Sequence, residues 1–268
     1  MPEPVEQHGD YVLDGVIGHG GSGVVYRAHH TSEPDRAVAV KVLDERHRDD
    51  VHGDRLRREF DFARRATHPH VITMYDAGPG WLAMELVTGG PATRLTERAD
   101  ALTVLAQLAA ALDHAHALGV VHCDVKPDNA LLAAPPPAPW AKLVDFGSAR
   151  SVTEPSIRQT RVEASLPYTA PEVLRGHPPT AAADEYALAC TAVELLTGTP
   201  PFIATTAMGL IDNHLNSPVP RFSREIDWIP RAFDSILAKA MAKDPDARYA
   251  TCVEFIAFIT RALTVSSQ

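Results

Sequence analysis

Short apolar runs broken by turn residues fill the first forty-odd positions: YVLDGVIG from Tyr11, a glycine cluster, VVYRAHH, then RAVAVKV up to Val42. Runs of this length between turn formers predict strands joined as a β-meander. The pattern changes over Arg55 to Ala66, where Leu56, Phe60 and Ala63 share one helical face and Arg57, Arg58, Arg64 and Arg65 fall elsewhere. That spacing predicts a helix with a charged face, packed beside the strands. VITMYDAG and WLAMELV resume strand character and stop at Gly89 and Gly90, a pair suited to a flexible boundary, so a lobe division is expected near Val87. Beyond it, helical periodicity predicts helices over Ala101 to Leu118, Ala181 to Thr197, Ala232 to Ala242 and Thr251 to Leu263. Between the first two lie the short apolar runs GVVH, ALLA and KLVDF and an irregular stretch up to Pro171. AAPPPAPW, from Ala133 to Trp140, is too proline-rich to continue a strand and predicts a stiff surface connection. No internal repeat is evident.

Size turns this pattern into an architecture. At 268 residues the chain exceeds a usual single domain, which leaves one large domain or two lobes sharing a cleft. Hydrophobic residues at 45% and charged residues at 22% are ordinary globular composition, so most of the length should fold. The net charge of −9 argues against nucleic acid as a partner, since binding to the phosphate backbone needs a concentrated basic surface. Cys123, Cys190 and Cys252 are odd in number and lack CxxC spacing, which suggests neither a disulfide framework nor a zinc site and fits a reducing cytoplasm. The N-terminus, MPEPVEQHGD, has neither the basic flank nor the apolar stretch of a signal peptide and reads as a flexible lead-in over residues 1–10. The most apolar windows carry Gln107, Asp113, His114 and His116, or Asp184, Glu185 and Glu194, so no membrane span is expected within this chain.

Four segments carry candidate chemistry. Gly18-His19-Gly20-Gly21-Ser22-Gly23-Val24-Val25 lies between two strands and does not open a helix, unlike the Rossmann and Walker loops. Glycines there let a hairpin fold over phosphates with its backbone N–H groups exposed, although a simple turn needs the same residues. Lys41 ends the otherwise apolar run VAVK, where an ammonium is costly to desolvate without a counter-charge. Glu59 on the charged helix can supply one; a lysine snorkelling from a strand end is the alternative. His122-Cys123-Asp124-Val125-Lys126-Pro127-Asp128-Asn129 packs two carboxylates, a lysine and an amide between VV and ALLA. Such a set is expected where a hydroxyl, a γ-phosphate and a metal meet, with a polar surface turn as the alternative. Lys142-Leu143-Val144-Asp145-Phe146-Gly147 adds a carboxylate at a strand end and a glycine that allows a sharp turn.

In this order and spacing the sequence resembles protein kinases, most closely the eukaryotic-like Ser/Thr kinases of bacteria, from about Tyr11 to Leu263. The matching residues are the Gly18/Gly20/Gly23 loop with Val25, VAVK at Lys41, Glu59, HCDVKPDN, Asp145-Phe146-Gly147 and Ala170-Pro171-Glu172. The resemblance implies an α+β, bilobal fold: a small antiparallel β-rich N-lobe over 11–87 and a larger, mainly α-helical C-lobe over 88–264. It further implies Asp184 as a buried brace of the catalytic loop and Arg248 as the partner of Glu172. Met84 becomes the gatekeeper beside adenine, Glu85 to Val87 the hinge, and Val25, Ala39 and Leu131 the residues that sandwich the base. Ile17, Gly18, Gly20, Gly21, Ser22 and Gly23 complete the nucleotide site.

Roles follow from the same resemblance. Asp124 accepts or orients the proton of the substrate hydroxyl, and Lys126 neutralises charge on the moving phosphoryl group. Asn129 and Asp145 hold Mg²⁺, with Mn²⁺ as the alternative ion, and Lys41, held by Glu59, grips the α- and β-phosphates of ATP. Lys126, two residues after the aspartate, and Ser165 point to serine or threonine acceptors on proteins, and self-association would permit autophosphorylation. Cys123 departs from the family, occupying the arginine position of HRD. A thiol cannot replace a guanidinium fork facing a phosphorylated loop, so phosphorylation of that loop is expected to be dispensable. A scaffold that binds ATP without transfer is one rival, but Lys41, Asp124, Asn129 and Asp145 are all present. A small-molecule phosphotransferase is the other, disfavoured by Ala170-Pro171-Glu172, Asp184 and Arg248. His29-His30, His68-Pro69-His70 and His114-Ala115-His116 lack ligand partners at metal spacing and read as surface or packing residues, with His122 a brace of the catalytic loop.

Overall fold

The computed structural model describes residues 6–21, 23–133, 139–153 and 165–265. Strands β1 (Gln7–His8), β2 (Tyr11–His19), β3 (Gly23–His30), β4 (Glu33–Leu43), β5 (Met74–Gly78) and β6 (Trp81–Glu85) form one antiparallel sheet in the order β1-β2-β3-β4-β6-β5. The lead-in, expected to be flexible over residues 1–10, is corrected at its inner end. Gln7 and His8 pair with Val12 and Tyr11, and Leu13 N donates to Glu6 O at 3.0 Å. One face of the sheet buries Tyr11, Ala28, Val38, Val40, Val42, Trp81 and Ala83 as a small core of its own.

Helix α1 (Asp50–Arg65) begins ahead of the predicted Arg55, because Asp49 caps it by accepting from His52 N at 2.9 Å. Its buried residues are Leu56, Glu59, Phe62 and Ala63. A carboxylate therefore sits on the apolar side, and the arginines at 57, 58, 64 and 65 stay exposed. Below the sheet lie α2 (Arg98–Ala117), α3 (Pro171–Leu174), α4 (Ala181–Thr197), α5 (Ala207–Asn216), α6 (Arg231–Ala240) and α7 (Cys252–Val265). Helix α4 is apolar nearly all round and buries Tyr186, Leu188, Ala189, Cys190 and Val193 against α2 residues such as Leu105, Leu108 and Leu112, as a central core helix must. Apolar periodicity did not single out α5, in which Gly209 and Asn213 interrupt the pattern. Its signal was a cap, since Thr206 Oγ1 accepts from Gly209 N at 3.1 Å.

Two short pairings set the site between the lobes. Strand β7 (Val120–Val121) pairs with β10 (Arg150–Ser151), and β8 (Ala130–Ala133) pairs with β9 (Trp140–Leu143). The proline-rich run thus joins paired strand ends, Ala133 opposite Trp140; residues 134–138 of it lie outside the described residues. Among the described residues, no helix is long and apolar enough to cross a membrane.

Candidate active site

The sheet supplies one wall of the cleft. Register places Val25 opposite Lys41 and Ala39 opposite Met84, so alternation puts all four side chains on one face. Gly18 pairs with Val25, and Gly20 N donates to Gly23 O at 2.8 Å, closing the β2–β3 hairpin. A Cβ on Gly23 would lie 2.2 Å from Val42 O, so only glycine lets β3 approach β4 that closely. Ile17 is half exposed near the hairpin tip, and Ser22 lies outside the described residues. Glu85 ends β6 with its carboxylate turned from this face, 2.9 Å from Lys142 Nζ and 2.9 Å from Thr73 Oγ1, which leaves backbone groups as its contribution to a ligand. Leu131 rises from the opposite lobe on β8, bridged to Pro91, and Val87 packs against the main core.

Lys41 Nζ donates to Glu59 Oε2 at 2.7 Å, with both side chains nearly withdrawn from solvent. Burial works against the ammonium, but Glu59, followed by Asp145, outweighs it and raises the Lys41 pKa. The lysine stays charged and aimed. This pair is the one expected from sequence, and the snorkelling alternative is ruled out.

Across the cleft Asp124, Lys126, Asn129 and Ser165 form a closed network. Lys126 Nζ donates to Asp124 Oδ2 at 2.7 Å and to Ser165 Oγ at 2.8 Å, and Ser165 Oγ donates to Asp124 Oδ1 at 2.8 Å. Asn129 Nδ2 donates to Asp124 O at 2.7 Å and Oδ2 at 2.9 Å, so its amide oxygen is the atom left to accept or ligate. Asp145 takes the left-handed conformation, φ 62°, and its Oδ1 accepts from Gly147 N at 3.2 Å. Burial alone would raise its pKa; Lys41 first, then His122, the Gly147 N–H and Lys126 reverse this and hold it below the usual carboxylate range. Asn129 and Asp145 thus present an amide oxygen and an ionised carboxylate, the hard oxygen donors that suit a divalent cation.

Cys123, φ 67°, is the other non-glycine residue with positive φ among those described. Such strain persists only where the surroundings fix it, and Asp184 does so. Its Oδ1 accepts from Cys123 N at 2.8 Å, and its Oδ2 accepts from His122 N at 2.7 Å and pairs with His116 Nε2 at 2.8 Å. His122 Nε2 reaches Val144 O at 3.0 Å and its ring stands edge-on to Phe146, joining the His122–Asn129 segment to the Asp145 segment. The Cys123 thiol lies 3.5 Å from Val121 O.

His116 had no distinguishing signal in the sequence; its partner Asp184 lies 68 residues away. Asp113, His116 and Cys252 also converge, with ligand atoms within 4.8 Å of one another. Both Asp113 oxygens, however, already accept N–H groups of Cys252 and Val253, at 2.8 and 2.9 Å, and burial pushes the Cys252 thiol well up. The cluster reads as the cap of α7. Ser156 and Thr160, hydroxyl residues between Gly147 and Ala170, lie outside the described residues.

Residues 11–257 match the family described as protein kinase domain. The chain is 38% identical over 281 residues to serine/threonine-protein kinase PknD of Mycobacterium tuberculosis, covering 100% of this chain and 42% of that protein. It is 39% identical over 272 residues to serine/threonine-protein kinase PknH of Mycobacterium bovis, covering 97% and 45%. The chain thus spans less than half the length of these relatives. The crystal structure of the Mycobacterium tuberculosis PknI kinase domain superimposes with a TM-score of 0.73 at 29% identity, covering 96% of this chain and 98% of that one.

Proposed function

Because this chain belongs to the protein kinase domain family, we propose that it transfers the γ-phosphate of ATP onto serine or threonine hydroxyls of protein substrates, its own included. One observation carries this: Asp124, Lys126, Ser165 and Asn129 form a single hydrogen-bonded network facing the Lys41–Glu59 pair and Asp145. Phosphoryl transfer through a loose transition state asks chiefly for positioning and charge neutralisation. Both are supported by these groups.

Asp124 orients the acceptor hydroxyl and takes its proton as the new P–O bond forms and the bond to the β-phosphate oxygen breaks. Lys126 neutralises charge on the transferred group, and Ser165 ties that lysine to the aspartate. Lys41, fixed by Glu59, binds the α- and β-phosphates under the Gly18–Gly23 hairpin. Adenine lies between Val25 and Ala39 above and Leu131 below, beside Met84 and the backbone of 85–87. Asn129 and Asp145 hold the divalent ion, Mg²⁺ with Mn²⁺ as the alternative, which screens the phosphate charges when bound. The division into N-lobe 11–87 and C-lobe 88–264 belongs to this reading, as do a cytoplasmic setting, transient self-association and no nucleic-acid partner.

The test is incubation of the chain with γ-labelled ATP, Mg²⁺ and either a generic basic protein or a panel of small hydroxyl compounds. Label on protein serine or threonine is expected. Label confined to a small compound, or ATP binding with no label on any acceptor or on the chain itself, would overturn the proposal.

A further inference from the structure

Arg55 stands one helical turn before Glu59 on α1, and both side chains meet the Asp145–Gly147 turn. Arg55 Nε donates to Gly147 O at 3.2 Å, and its Nη2 lies 3.4 Å from Ser148 Oγ. A Cβ placed on Gly147 would come within 3.1 Å of Asp145 Oδ1 and 3.4 Å of both Arg55 Nε and Glu59 Oε2. Three functional side chains therefore converge on a residue that has none. Gly147 is held on both of its peptide groups: its N–H goes to Asp145 Oδ1 at 3.2 Å, its carbonyl to Arg55.

Asp145 needs such support. At φ 62° it occupies a region that a residue with a Cβ leaves unless its neighbours determine it. Residues four apart on a helix move as one, so the turn of α1 that carries Glu59 to Lys41 also carries Arg55 to Gly147.

We propose that Arg55 is a positioning residue that couples the placement of α1 to that of the Asp145 carboxylate, so that the phosphate-binding lysine and the metal-binding aspartate are set together. The inference rests on the proposed function in taking Asp145 as a metal ligand.

The experiment measures ATP affinity of the chain, of Arg55→Ala and of Arg55→Lys, each with and without Mg²⁺, beside phosphate transfer and thermal unfolding. Arg55→Ala should bind metal-free ATP like the parent while losing about 10-fold or more of the affinity gained on adding Mg²⁺, the scale of one hydrogen bond from a charged donor. The Mg²⁺ concentration for half-maximal binding should rise in parallel. Arg55→Lys should recover part of the gain, since an ammonium can still reach one carbonyl. An equal loss with and without Mg²⁺, or no loss, overturns the proposal. If the parent chain transfers no phosphate but its Mg²⁺-dependent gain still needs Arg55, the functional reading falls and the coupling stands. If it transfers phosphate and the gain ignores Arg55, the coupling alone falls.

Discussion

Arg248 clasps Glu172 through two parallel hydrogen bonds of 2.7 Å, although 76 residues separate them in the chain. Two of the remaining donors are also used: Nε reaches Ala242 O at 3.0 Å, and Nη1 reaches Ala182 O at 2.7 Å. The pair ties α3, at the end of the segment carrying Ser165, to the loop before α7.

Such a pair costs little to replace whole and much to break. Arg248→Ala should lower unfolding stability by about 3–5 kcal/mol, because it strands a buried carboxylate. A double change of Arg248 to Met and Glu172 to Leu should cost less than Arg248→Ala alone. Denaturant unfolding of the three proteins decides it, and a single-variant loss below about 1 kcal/mol would contradict the picture.

Ser165 is the only hydroxyl bridging Lys126 and Asp124 among the described residues. Ser165→Ala should cut the transfer rate by about 10-fold or more, since one charged-group hydrogen bond is worth roughly 1.5–3 kcal/mol. Ser165→Thr, which keeps the hydroxyl, should stay near the parent rate. Equal rates for all three would remove Ser165 from the network.

Glu185 is buried beside Asp184 and accepts one N–H, from Tyr249 at 3.0 Å. Desolvation pushes its pKa up to about 8, against help from that N–H and from Arg248. The folded chain therefore holds this proton more tightly than the unfolded chain does. Its contribution to stability is full below the unfolded carboxyl value and is lost as pH rises towards 8, by at most about 1.4 kcal/mol per unit. Glu185→Gln should flatten the fall in melting temperature between pH 5 and 8, and an unchanged profile would place the titration elsewhere.

Cys123 presents a thiol 3.5 Å from Val121 O, while Asp184 holds its backbone. With no guanidinium there to read a phosphate, changing both Ser156 and Thr160 to alanine should leave transfer within about 2-fold of the parent. Timed assays against one protein acceptor test this, and a collapse of rate would show that the loop needs modification after all.

The chemistry was more legible in the sequence than the bracing around it. Glycines 18, 20 and 23, Lys41, Asp124, Asn129 and Asp145 stand out because each is a polar or backbone-exposing residue set against apolar runs, and short-range spacing carries that information. Glu59 could be paired with Lys41 because a charge at the end of an apolar strand demands a partner. Helix ends were less legible: α1 starts at its Asp49 cap, and α5 is defined by Thr206 more than by apolar spacing. The clamp of Asp184 on His122 and Cys123 was legible only through the family resemblance, while the His116 contact and the Arg55 tether to Gly147 join residues far apart in the chain and had no such guide. Arg55 had one local hint, its spacing of four from Glu59. Glu185 inside a buried helix contradicts ordinary composition rules and could be recognised only once α4 was seen to be enclosed.

Transfer of labelled phosphate by Asp124→Asn bears most directly on the proposed chemistry. Asparagine keeps the shape but cannot accept the hydroxyl proton, so ATP affinity should persist while single-turnover transfer to protein serine or threonine falls by about 10²- to 10⁴-fold. Labelling of protein by Asp124→Asn at the parent rate would contradict the assignment of that residue and the mechanism built on it.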